Sequence, residues 1–170
     1  ADDAASPNRR QMTTLTAVVI ASLLAAGLVG GVFFAFSVFV MRALAELPAA
    51  HGVAAMQRIN VTVIHPLFLG SFLGAVPLLA AAALVARADG RSQAFTWLAL
   101  SFVVYTAGSV AVTMLFNVPR NNKLAALPPS STEAAAYWPV YVREWLLWNH
   151  VRCIASLVAA AASAYALAVA

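Results

Sequence analysis

Charge is what this sequence has least of. Asp, Glu, Lys and Arg make up 9% of its 170 residues, where a soluble domain carries about 25%. That shortage excludes an ordinary water-soluble domain and points to lipid as the solvent. Acidic residues number six and histidines three, so a metal site has few ligands to draw on. The net charge of +4 comes without a basic cluster of the kind that reads as a nucleic-acid surface. The single cysteine, Cys153, has no partner for an internal disulfide and belongs to no Cys-x-x-Cys motif. It sits on an apolar helix, as a small buried thiol does. A glycine-rich phosphate loop, a nucleophile elbow and a dinucleotide fingerprint are all missing.

What is present is apolar: 63% of residues are hydrophobic. The length suits one domain and about four crossings of a bilayer. Expected spans are 13–41, 66–86, 93–117 and 151–170. The fold class is therefore all-α: a polytopic four-transmembrane-helix bundle over 12–170. A short amphipathic helix is expected to lie along the membrane between the first two spans. Its apolar face is read from Ala54, Ala55, Ile59 and Val63. Residues 1–11 are polar and read as a disordered extension. Pro119 is expected to end the third span, and Ser131 or Thr132 to cap the helix that follows. Gly27/Gly31 and Gly70/Gly74 are small-residue pairs suited to close helix contact. Such seams also permit a homo-oligomer.

Counting crossings puts 42–65 and 117–150 on one side of the membrane. The expected location is a bacterial cytoplasmic membrane. The distribution of Arg and Lys leans toward these loops facing the cytoplasm.

Polar residues gather on that loop side. Trp148-Asn149-His150-Val151-Arg152 heads the last apolar run, and polar groups at that depth are costly unless they face protein, ligand or water. At about 100° per residue, Trp145, Asn149 and Arg152 share a helix face, with His150 at its edge. Tyr105, Ser109, Thr113 and Asn117 recur every four residues along the third span. Such a stripe either bonds neighbouring helices or walls a polar cleft. Phe33, Phe34, Phe36 and Phe39 supply flat surface for lipid, core or a planar ligand.

An imidazole of His150 or His65 can take a proton from a weakly acidic substrate. Arg152, Asn117 and Asn149 can stabilise the resulting anion in a water-poor site. Candidate substrate contacts are His65, Asn60, Phe36, Ser37, Trp148, Asn121, Tyr105 and Thr113. His65 and His150 are the weak candidates for holding a metal or haem. An accessory subunit binding a quinone or lipid, and a His-ligated redox protein, are the alternatives to an enzyme.

Several stretches carry a family resemblance: Gly31-Val32-Phe33-Phe34-Ala35-Phe36-Ser37, Val40-Met41-Arg42-Ala43-Leu44, Asn117-Val118-Pro119-Arg120-Asn121-Asn122-Lys123-Leu124 and Trp148-Asn149-His150-Val151-Arg152. The chain resembles the anthrone oxygenase family of small four-helix membrane proteins. The resemblance implies oxidation of an anthrone, a hydrophobic aromatic molecule from polyketide pathways, with molecular oxygen as co-substrate and no flavin or nicotinamide. It implies His150 as base, with Arg152, Asn117 and Asn149 stabilising the anion.

Overall fold

The computed structural model describes residues 7–170, with side chains from residue 14 onward, and the described residues are helical without a strand. The extension expected over 1–11 lies, for its first six residues, outside the described residues. Helix α1 is Pro7–Ala35. A π-helical segment, Phe36–Val40, joins it to α2, Met41–Glu46. Then come α3, Ala49–Thr62, and α4, Pro66–Ala88. The third span starts as α5, Ser92–Tyr105, passes through π-helical segments Thr106–Ala111 and Thr113–Asn117, and ends as α6, Val118–Ala125. Helix α7 is Thr132–Ala168.

Among the described residues, four helices are long and apolar enough to cross a membrane: Thr14–Glu46, Pro66–Ala88, Ser92–Ala125 and Thr132–Ala168. The chain is a four-helix membrane bundle. Their lengths differ in a way that builds the site. The 23 residues of α4 span about 35 Å, close to one bilayer core, while the 37 of α7 reach about 55 Å. At one end the helices are level, packed through Leu15, Val19, Ala82, Ala86, Leu98 and Ala166. The surplus length of the other three therefore projects beyond the start of α4. There α3 packs against α2, α6 and α7, burying Val53 and Met56 among Met41, Leu124, Trp138, Tyr141 and Trp145. Both loop segments thus meet on one side, as the crossing count requires.

Local chemistry explains the ends. His65 is extended, as a residue before proline must be, and Pro66 opens α4. Gly90, at φ 71°, closes the turn after α4 in a conformation open to glycine. Ser131 caps α7, its hydroxyl accepting from the Ala134 amide at 3.1 Å.

Three expectations need correction. Pro119 does not end the third span. The wide turn before it sends the Val118 amide to the Thr113 carbonyl, and the Arg120 guanidinium donates to the Phe116 carbonyl at 2.8 Å. The helix thereby absorbs a residue that lacks an N–H. The buried face of α3 is Gly52, Val53 and Met56, while Ala54 is exposed. That face packs on Trp138 and Tyr141, with Ile59 partly buried beside it. Finally, Gly27, Gly31, Gly70 and Gly74 have nothing within 4 Å of where a Cβ would stand. Close helix contact is made instead by Gly30 against Leu157 and Ser156, and by Gly108 against Ala155.

Candidate functional site

The inward face of α7 carries Trp138, Tyr141, Trp145, Asn149, Arg152 and Ser156, all buried. Arg152 is the centre. Only 5% exposed, it donates from Nη2 to Asn149 Oδ1 at 2.7 Å and from Nη1 to Thr113 Oγ1 at 3.2 Å. Its guanidinium lies over the Phe33 ring at 4.2 Å and the Trp145 ring at 5.1 Å. Among the described residues the ion pairs are Arg42–Glu46 and Arg120–Glu144, so no carboxylate pairs with Arg152. A buried cation without a counter-ion is costly, and ring faces offset only part of that cost. Its Nε is buried without a hydrogen-bond partner, and so are Trp145 Nε1 and Asn117 Oδ1. Each such atom costs about 1–3 kcal/mol. Native proteins leave few of them, and here three converge around Trp145.

Asn149 ties this cation to the first span. Its Nδ2 donates to the Phe33 carbonyl at 2.8 Å and to Ser37 Oγ at 2.8 Å. Ser37 Oγ also lies 3.0 Å from His150 Nδ1. Ser37 belongs to the π-helical segment Phe36–Val40, a kind of bulge that recurs at functional sites. The result is one hydrogen-bonded chain: Thr113, Arg152, Asn149, Ser37, His150. Arg152 and Asn149 are buried, while His150 is exposed at the edge of the helix face, as its angular position predicts.

The four-residue stripe of the third span faces inward throughout, with Tyr105, Ser109 and Asn117 buried. In an α-helix, residues four apart drift by about 40° per step. The wider π-helical turns keep Ser109, Thr113 and Asn117 closer to one line. Asn117 Nδ2 donates to the Trp145 carbonyl at 3.1 Å, so its free atom is an acceptor. That geometry does not suit it to an anion, contrary to the sequence expectation. Tyr105 donates to the Phe72 carbonyl at 3.0 Å and serves contact between the second and third spans.

Other candidates fall outside the Arg152 chain. Asn60 and Asn121 meet at Tyr141, whose hydroxyl donates to Asn121 Oδ1 at 2.9 Å and accepts from Asn60 Nδ2 at 3.5 Å. Trp148 stacks on Phe116 with centroids 3.6 Å apart, and Phe36 lies 5.6 Å from the Trp145 ring. His65 is occupied as the cap of α4, its Nδ1 accepting from the Leu67 amide at 3.3 Å. Among the described residues, no three His, Cys, Asp or Glu side chains are grouped to hold a metal ion. Arg42 and Arg143 are exposed, away from the buried cation. Sequence reasoning missed Tyr141 and the particular role of Phe33. Tyr141 was findable, because 141, 145, 149 and 152 follow one helix face.

A family model described as anthrone oxygenase matches residues 65–162. This is more than half of the chain. It includes Thr113, Asn117, Tyr141, Trp145, Asn149, His150 and Arg152, while Phe33 and Ser37 lie outside it. No curated protein and no solved structure matches the chain.

Proposed function

Because the chain belongs to the anthrone oxygenase family, we propose that it is a membrane-embedded monooxygenase. On this reading it oxidises an anthrone-like planar aromatic or phenolic substrate of polyketide type with molecular oxygen. The observation that carries the reading is the buried Arg152 guanidinium without a carboxylate, stacked on Phe33 and Trp145, with Nε unpartnered. A group held in that state is preorganised for an anion that forms only during reaction.

The substrate approaches from the exposed His150 side, its carbonyl oxygen toward Arg152. His150 acts as base. With Nδ1 donating to Ser37 Oγ, the lone pair on Nε2 is free to take a proton from the acidic ring carbon. Asn149 is a positioning residue: both ends of its amide are used, one on Arg152 and the other on Ser37 and Phe33. Charge left by proton removal collects on the carbonyl oxygen beside Arg152. The electron-rich ring passes an electron to dioxygen, and the radical pair combines to form a C–O bond. The peroxide takes the proton held by His150. Loss of the second proton from the same carbon then breaks the O–O bond. One oxygen atom stays as the new carbonyl and the other leaves as water. All electrons that reduce dioxygen come from the ring carbon, so no external reductant enters the balance. Asn117 Oδ1, a bare acceptor, receives an O–H from a phenol or the hydroperoxide.

The test is quinone formation from a simple anthrone by purified protein, compared with Arg152→Met and with the protein-free rate. Formation well above the protein-free rate, lost in the variant, supports the reading. Equal rates in all samples transfer the site to a quinone-binding accessory role.

A further inference from the structure

We propose that the inward face of α7 binds a file of ordered water linking Arg152 to the loop face of the bundle. It would carry protons and product water along a path that is otherwise closed by packing. Positions 138, 145 and 152 are seven apart and so share one side of the helix. On each, an N–H is buried without a partner: Trp138 Nε1, Trp145 Nε1 and Arg152 Nε. Asn117, whose Nδ2 donates to the Trp145 carbonyl, adds Oδ1, an acceptor likewise without a partner. All four residues are at least nine-tenths buried.

An indole N–H and a guanidinium N–H only donate, and an amide oxygen only accepts. With no substrate in the site, water is the small group that accepts from the first two and donates to the third. Buried water needs several polar partners, and around Trp145 they are grouped: Arg152 lies 5.1 Å over its ring and Asn117 bonds its carbonyl. Tyr141 lies between the two indoles on the same face. Its hydroxyl is already joined to Asn121 and Asn60, which are half-buried on α6 and α3. Those two amides form the outer mouth.

Deeper in the bundle, buried hydroxyls satisfy one another directly. Ser101 bonds Ser163 and the Ala159 carbonyl, and Ser156 bonds Ser109. Among the described residues, the unpartnered buried atoms outside the file are Thr106 Oγ1 and two in the turn after α4, Asp89 Oδ2 and Arg91 Nε. The row along α7 is thus a concentration at one end and on one face. Use of the path by a reaction that releases water rests on the oxygenase reading. Its existence does not.

The experiment is hydrogen exchange of the tryptophan indole protons in the full chain, in detergent micelles, after transfer to heavy water. The four indole signals are assigned with Trp138→Phe and Trp145→Phe. The expected result is exchange at Trp138 and Trp145 much faster than at the backbone amides of residues 141–149 beside them. Magnetisation transfer from water to both indoles is expected as well. Indole protons as protected as those amides, with no transfer from water, would overturn the proposal. Failure of anthrone turnover leaves this readout untouched, so the two readings fail separately.

Discussion

Replacing Asn149 with leucine keeps the shape of the side chain and removes its polar ends. The wild-type amide is fully buried and makes three hydrogen bonds, at 2.8, 2.8 and 2.7 Å. One is to a charged group, worth about 1.5–3 kcal/mol, and two are neutral, worth about 0.5–1.5 kcal/mol each. Ser37 keeps His150 as a partner, which trims the total. The expected loss is about 3–5 kcal/mol. At this chain length about 2–4 °C of melting temperature corresponds to each kcal/mol, so a fall on the order of 10 °C is expected. Thermal unfolding in one fixed detergent, followed by near-UV circular dichroism, measures it. Asn149→Asp sharpens the case. A carboxylate there supplies Arg152 with a counter-ion and recovers part of the stability, yet it neutralises the charge meant for the substrate. It should therefore be more stable than the leucine variant and still inactive. A leucine variant within about 1 kcal/mol of wild type, or an aspartate variant with full activity, would show that Asn149 does not hold Arg152 in this way.

Arg152→Met should cost little stability, within about 2 kcal/mol, because losing stacking and two hydrogen bonds is offset by relief of a buried charge. Turnover of an anthrone should fall about 10²–10³-fold, and paired melting and rate measurements separate the two effects. Combining Arg152→Met with Asn149→Leu should destabilise by at least about 1 kcal/mol less than the sum of the single changes, since both remove one shared bond. A melting series also checks two glycines. Gly52→Ala should destabilise by about 1–3 kcal/mol, because the new Cβ meets the Leu44 carbonyl and the Trp138 ring at 2.8 Å. Gly70→Ala, with open space around it, should be neutral or stabilising by up to about 1 kcal/mol.

The four spans were legible because crossing a bilayer demands long apolar runs, and little else satisfies that demand. The shared face of Trp145, Asn149 and Arg152 was legible because α7 is regular there, so angular arithmetic holds. Where the helix departs from α geometry, the sequence reading broke down. Proline is costly in an α turn, so Pro119 signals a stop in the sequence; the π-helical turn that accommodates it packs against α7. The open glycines were read as contact points because spacing reports which residues share a face, and nothing about which way that face turns. His65 was grouped with His150 on the strength of lying on the same side of the membrane. Its own helix end claims it as a cap. In sequence, Tyr141 looks like any aromatic anchor near a membrane boundary, and only its burial in the cluster with Met56 and Leu124 distinguishes it.

In the proposed mechanism, His150 removes the proton and the Arg152 chain holds the resulting anion. Oxygen consumption by the detergent-solubilised protein with a simple anthrone tests it most directly, run beside His150→Ala and a protein-free control. Rapid uptake by the wild type is expected, with a return to the control rate in a His150→Ala protein that melts at the wild-type temperature. Uptake by the wild type at the control rate, or a folded His150→Ala variant as fast as wild type, would contradict it.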